Sequence, residues 1–158
     1  MSYIRCNSAS GGGGGIDFSE VDALGTNEAL CYAHWDKTWN SLGTEGKRTI
    51  SNIKSYTYSR FQSSANGTHE YFTIIFDPKK CDAFSMDSQY KIRASTSSAE
   101  LYALGVKDGE ITFLGYSMGA NTVVVEKTPR PYLFDYIILT GDFYNYMASS
   151  MSITVTTS

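Results

Sequence analysis

The residues with the clearest potential for chemistry are Gly115, Ser117 and Gly119, which form the pattern G-x-S-x-G after an apolar strand. A serine between two glycines can stand on a sharp turn, because its small neighbours leave room for a substrate around the hydroxyl. Such a serine becomes a nucleophile only when a base takes its proton. The chain has two histidines, His34 and His69, and both precede the serine.

The ten residues around Ser117 resemble the nucleophile elbow of the α/β-hydrolases. That family orders its triad as serine, acid and histidine, and a helix follows the serine directly. Here no histidine follows Ser117, and the β-branched run within 121–125 favours a strand. We therefore predict no catalytic residue and interpret the motif as a glycine-rich turn between two strands. A serine hydrolase at Ser117 is the remote alternative.

No metal or cofactor site is predicted. Asp77, Asp82 and Asp87 lie in one short stretch, but they lack the spacing and the central glycine of an EF-hand. Two neighbouring lysines would also repel a cation. We interpret this stretch as a solvated loop. Neither histidine has a second histidine at metal-ligand spacing, so we expect no cofactor.

Aromatic residues make up 14% of the chain. Most are expected in the core, because β-sheets favour them. The alternative is a surface patch that stacks on sugar rings or contacts another protein. Phe143, Tyr144 and Tyr146 are the first candidate patch, in an expected loop between two strands. Trp35 and Trp39 are the second.

One helix is predicted, over residues 27–42. Cys31, Tyr32, Trp35 and Trp39 fall at the spacing of three and four that produces an apolar stripe. A strand over Ala29–Trp35 is the alternative, because Cys, Tyr and Trp also suit a pleated surface.

From residue 49 onward the apolar pattern changes to a period of two, which is typical of strands. Asp108-Gly109 stands between two apolar runs and predicts a tight hairpin turn. Strands are predicted over 49–58, 70–76, 90–95, 100–107, 110–116, 122–127, 132–140 and 151–156. We therefore predict a mainly β fold, an antiparallel β-sandwich or jelly roll.

Composition excludes several classes of protein. With 42% hydrophobic and 18% charged residues, the 158-residue chain is too apolar to be disordered. A net charge of −3 gives no basic face for nucleic acid. No apolar run is long enough to span a membrane, and no signal peptide is recognisable, which predicts synthesis in the cytoplasm. Three widely spaced cysteines indicate reduced thiols.

The chain divides into two parts. Residues 1–15 are a short peptide followed by a run of five glycines, which is typical of a flexible connector. Tyr3 and Ile4 in that peptide are apolar enough to anchor it on another surface, so we interpret it as an assembly arm. Residues 16–158 are predicted to form a single β-sandwich domain.

This organisation resembles the small structural and appendage proteins of tailed bacteriophages and prophages, such as tail and baseplate accessory components. In those proteins an N-terminal arm anchors a β-rich body to a larger assembly. The resemblance implies a non-enzymatic structural or host-binding component that associates with the virion and contacts other subunits, as a homo-oligomer. The alternative is a carbohydrate-binding module with a glycan ligand on exposed aromatic residues.

Overall fold

A computed structural model of the chain describes residues 18–38, 41–42, 46–51, 53–61, 68–92, 98–119, 122–145 and 148–158. These residues contain one α-helix, eleven strands and two short 3₁₀ helices, over 78–80 and 131–133. The bounds are α1 (Phe18–Asp22), β1 (Glu28–Thr38), β2 (Ser41–Leu42), β3 (Gly46–Ser51), β4 (Ser55–Phe61), β5 (Thr68–Phe76), β6 (Ala83–Ile92), β7 (Ser98–Lys107), β8 (Glu110–Gly119), β9 (Thr122–Pro129), β10 (Tyr136–Asn145) and β11 (Ala148–Thr157).

The strands form two antiparallel sheets. The large sheet has seven strands in the order β2-β1-β5-β10-β7-β8, with β3 also paired to β1. The small sheet has four, in the order β4-β11-β6-β9. The main core joins side chains of both sheets, so the prediction of a mainly β antiparallel sandwich is confirmed.

Strand β11 illustrates how the core is filled. Ile153 and Val155 are fully buried, whereas Ser152 and Thr154 between them are partly exposed. This is the alternation of a strand with one face on the core. The largest core side chains from the large sheet are Phe72, Ile74, Phe76, Leu101, Ile137 and Leu139, and those from the small sheet are Phe84, Met86 and Ile153.

A second apolar cluster lies on the outer face of the large sheet, beneath α1. Val21 of the helix is 1% exposed and belongs to the same buried cluster as Ile75 and Ile138. The Phe18 ring stacks on the Tyr136 ring, with centroids 4.4 Å apart. The short helix therefore covers part of a sheet face that would otherwise be in water.

The predicted helix over residues 27–42 is wrong. This segment contains β1 and β2, and the alternative strand over Ala29–Trp35 is the one found. Ala29 and Cys31 are buried in the main core, whereas Leu30 belongs to the outer cluster. A strand buried on both faces reads as a continuous apolar run, and it can imitate a helical stripe.

The hairpin at Asp108-Gly109 is confirmed. Both residues have positive φ, 51° and 79°, and they join β7 directly to β8. Such angles at both central positions are those that a type I′ turn requires. The predicted strand over 49–58 is in fact two strands, since β3 ends at Ser51 and β4 begins at Ser55.

Candidate functional site

The most exposed apolar surface of the described residues lies on β8. Ile111, Phe113, Tyr116 and Met118 are 46%, 58%, 45% and 60% exposed, respectively. No other strand contributes as many large exposed apolar side chains among the residues that the structure describes. Clustered exposure of this kind marks binding surfaces more often than scattered single residues do.

A β-bulge places these four side chains on one face. Ala103 of β7 lies opposite Gly115, but the next residue, Leu104, lies opposite Phe113, so Leu114 is the extra residue. In a regular strand Phe113 and Tyr116 would point to opposite faces, because they are three residues apart. The extra residue restores the alternation, and both rings reach the outer face.

Tyr102, Phe113 and Tyr116 form a cluster of three rings, which we name the aromatic platform. The centroid of Tyr102 is 5.0 Å from that of Tyr116 and 6.0 Å from that of Phe113. The two exposed rings are themselves 6.4 Å apart. Because Tyr102 is only 7% exposed, it supports the two outer rings from the neighbouring strand. The platform is therefore a positioned surface rather than a set of independent side chains.

Carboxylates border the platform. The Tyr102 hydroxyl donates a hydrogen bond of 2.5 Å to Oε2 of Glu100, and Glu100 lies opposite Met118 on one side and Asp142 of β10 on the other. Burial raises the pKa of Tyr102, and the bond to Glu100 raises it further. The phenol therefore stays protonated and holds one oxygen of Glu100 in place.

The polar character continues across the sheet. Asp142 is 1% exposed, and Thr140 and Thr73 are also buried. The hydroxyls of the two threonines lie 3.4 Å apart on neighbouring strands. Register places Tyr116, Tyr102, Thr140 and Thr73 in one row across β8, β7, β10 and β5. The platform is thus the exposed end of a row of aromatic and hydroxyl groups.

Ser117 lies inside β8, opposite Leu101, so its interpretation as a turn residue is wrong. The strand continues to Gly119, and the next described element is another strand, β9, so no strand-to-helix elbow is present there. His69 lies in β5, three strand positions from β8, which is roughly 14 Å between the strand axes.

The glycines of the motif have a packing role. A Cβ atom added at Gly115 would lie 3.0 Å from Cγ1 of Val125, which is tighter than an ordinary contact. The missing side chain lets β9, at the edge of the small sheet, come close to β8, at the edge of the large sheet. Gly119 is less crowded, since its added Cβ would lie 3.4 Å from the Thr122 carbonyl oxygen.

Two residues of the first predicted aromatic patch lie in a strand and not in a loop. Phe143 and Tyr144 are in β10, an interior strand paired with β5 and β7, so the loop placement is wrong for these two residues. Trp35 is in β1, opposite Glu70. The side chains of these three residues are outside the described part of the chain. Tyr3, Ile4, Trp39 and Tyr146 lie outside it altogether.

The acidic stretch around Pro78 is only partly a loop. Asp77 accepts a hydrogen bond of 2.9 Å from the Lys79 backbone N–H and begins a short 3₁₀ helix, whereas Asp87 lies in β6. No cluster of three or more metal-ligating side chains occurs within the residues described above. In the same residues, no helix has the length and hydrophobicity needed to cross a membrane.

A cavity of about 190 Å³ lies at one end of the sandwich. Phe76 and Ile53 line it together with the charged residues Glu28, Lys54 and Lys79. Typical small-molecule sites measure about 300–1,000 Å³. The exposed surface on β8 is therefore the stronger candidate for a functional site.

Comparisons with known proteins give only distant similarities. No protein-family model matches the chain, and no curated protein matches it. Among solved structures, the mitogen of Yersinia pseudotuberculosis has 13% identity and a TM-score of 0.42, over 66% of this chain and 86% of that one.

Two further solved structures show similarity at a comparably low level. The Epithelial Adhesin 6 A domain of Candida glabrata, solved in complex with Galb1-3GlcNAc, has 10% identity and a TM-score of 0.39, over 87% and 84% of the two chains. Tailspike protein 4 of bacteriophage CBA120 has 10% identity and a TM-score of 0.33, over 68% of this chain and 20% of that one. At these values the similarities carry no conclusion about function.

Proposed function

We propose that the protein is a non-catalytic glycan-binding module and that the aromatic platform on β8 is its binding surface. The observation that carries the proposal is the pair of exposed rings, Phe113 and Tyr116, held by buried Tyr102 beside the Glu100 carboxylate. This proposal keeps the carbohydrate-binding alternative of the sequence analysis but moves its site to different residues.

The chemistry of a sugar ring matches this surface. One side of a pyranose is a patch of C–H groups, which stacks on the face of an aromatic ring, and its rim consists of hydroxyl groups. A carboxylate beside the ring accepts hydrogen bonds from those hydroxyls, and charge-assisted bonds are stronger than neutral ones. Glu100 is already oriented by Tyr102, so little conformational freedom is lost on binding.

The platform also suits a binding protein better than an enzyme. Glu100 and Asp142 lie opposite each other on neighbouring strands, and Glu100 already accepts a hydrogen bond from a phenol. Ser117, the one residue with a nucleophile motif, lies opposite Leu101, whose side chain belongs to the main core beneath the sheet. We therefore propose that binding involves no covalent step.

The test compares two tyrosines of equal exposure. Tyr116 is 45% exposed on the platform, and Tyr132 is 46% exposed in the 3₁₀ helix over 131–133. On a glycan array, we expect the wild-type chain to bind a defined set of glycans, Tyr116→Ala to lose at least tenfold in affinity, and Tyr132→Ala to bind as the wild type does. Tyr116→Ala removes one of the aromatic rings on which the sugar would stack.

Two results would contradict the proposal. The first is an array with no bound glycan when the protein is folded. The second is equal loss of binding by the two tyrosine variants, which would place the glycan elsewhere. The pair Phe113→Ala and Leu133→Ala, with parent residues 58% and 55% exposed, repeats the comparison with a second matched control.

A second candidate function is supported by the aliphatic residues of the same surface. Ile111 and Met118 flank the two rings and are about half exposed. Aliphatic side chains add little to sugar stacking, but they are common in the centre of protein interfaces. The structural or host-binding component of a phage-like assembly therefore remains the competing proposal. Specific capture of a virion protein with a blank glycan array would favour it.

A further inference from the structure

The outer edge of β8 pairs with no other strand among the described residues, although β9 of the small sheet packs against β8 near Gly115. β8 is the last strand of the large sheet, and within the described ranges its only hydrogen-bonded partner strand is β7. Natural monomers protect such edges with charged residues, prolines or bulges, because a free edge can template another strand. Here the bulge is present, but the nine residues 111–119 contain no charge and no proline.

The apolar pattern of β8 is self-complementary. Counted from the junction between Leu114 and Gly115, the four exposed apolar residues lie at equal distances on either side: Phe113 with Tyr116, and Ile111 with Met118. We infer that β8 pairs antiparallel with β8 of a second copy, with the two-fold axis passing between Leu114 and Gly115. Each of these four residues then faces an apolar residue of β8 in the other copy.

Several features of the strand agree with this register. The four apolar side chains share the outer face because of the bulge, so all of them meet their counterparts on one side of the joined sheet. Glu110, the only charged residue of β8, would lie opposite Gly119, so no like charges meet across the axis. A two-fold axis requires such a self-complementary surface, and most soluble oligomers use one.

The pairing would also enlarge the aromatic platform. Phe113 of one copy would lie beside Tyr116 of the other, and the three-ring clusters of the two copies would merge across the axis into one surface of six rings. This consequence rests on the proposed function, because only a glycan-binding surface gains from the added length. The pairing itself does not depend on it.

The experiment uses charges at the two positions that face each other. In the double variant Ile111→Lys, Met118→Lys, two pairs of lysines would meet across the axis and repel. In the double variant Ile111→Lys, Met118→Glu, each lysine would instead meet a glutamate of the other copy. Both variants replace the same two exposed residues, so each is the other's control for loss of apolar surface.

Sedimentation analysis at high micromolar concentration gives the readout, with thermal unfolding to confirm that each variant is folded. We expect wild type to have twice the 17.4 kDa mass of one chain, the lysine–lysine variant to have the single mass, and the lysine–glutamate variant to return to twice the mass. A monomeric wild type, a dimeric lysine–lysine variant, or a monomeric lysine–glutamate variant would each overturn the inferred pairing. Glycan affinity is measured separately, so failure of the pairing and failure of the proposed function remain distinguishable.

Discussion

The outer face of the large sheet carries apolar side chains in two regions, and within the part of the chain that the structure describes only one of them is covered. Under α1, Val106 and Ile138 are 4% and 0% exposed. On β8, one strand beyond β7, Ile111 and Phe113 are about half exposed. Residue type does not explain the difference, because isoleucine occurs in both regions.

What differs is the presence of a covering element. Helix α1 has five residues, and its Val21, with the adjacent Phe18 and Leu24, packs only over the cluster that contains Leu104 and Ile138. The helix is too short to reach both regions, since five residues span about 7.5 Å. The comparison indicates that the apolar residues of the first region stabilise the fold, whereas those of the second are available to a ligand or partner.

The largest expected effect tests this comparison with two isoleucines. Ile138→Ala removes a fully buried side chain, so we expect the free energy of unfolding to fall by about 2–5 kcal/mol. Ile111→Ala removes one that is 46% exposed, and we expect a change within about 0.5 kcal/mol. Urea denaturation of dilute protein measures both. Equal losses would show that β8 is as much a part of the core as the covered region.

A smaller effect is expected where α1 is attached to the sheet. The Tyr136 hydroxyl donates a hydrogen bond of 2.7 Å to Oδ1 of Asp22. Tyr136→Phe removes this bond but keeps the ring that stacks on Phe18, so we expect a loss of about 0.5–1.5 kcal/mol. The amide of Leu24, which donates to the Val21 carbonyl oxygen at the end of the helix, should exchange its hydrogen faster in this variant. If stability is unchanged, the bond does not help to hold the helix on the sheet.

The same bond predicts a dependence on alkaline pH. Burial and the bond to Asp22 raise the pKa of Tyr136 from 10.0 to about 12. The unfolded chain therefore loses this proton first, so the stabilising contribution is complete below pH 10 and disappears as the pH rises towards 12. Between these values wild type should lose more stability than Tyr136→Phe does. Parallel pH profiles of the two proteins would contradict this assignment.

The fold class followed from the sequence because its signals are local. The period of two in β11 and the Asp108-Gly109 turn depend on neighbouring residues only. The mistaken helix over 27–42 arose in part because residues 29–31 of β1 are buried on alternating faces of the large sheet, so consecutive residues are apolar and can match a helical spacing. Helix α1 was missed because five residues are too few to show a periodicity.

The candidate site could not be predicted in the same way. Its rings come from two strands, and Phe113 and Tyr116 share a face only because Leu114 is an extra residue relative to β7. A bulge has no reliable sequence pattern beyond a tolerance for glycine, and Gly115 was instead assigned to a serine motif. The sequence predicts a loop at Phe143 and Tyr144, because nothing in it indicates that β10 continues to Asn145.

The smallest expected effect concerns Ser117 in the exposed region. If β8 is a binding strand and not part of a catalytic centre, Ser117→Ala should change the free energy of unfolding by less than about 0.5 kcal/mol and leave glycan affinity unchanged. We expect a fluorophosphonate probe to label neither wild type nor the variant, because His69 belongs to β5, three strand positions from β8, and a serine needs a neighbouring base to become a nucleophile. Labelling of the wild type that disappears in Ser117→Ala would mean that a histidine reaches this strand, and the exposed region would then be catalytic.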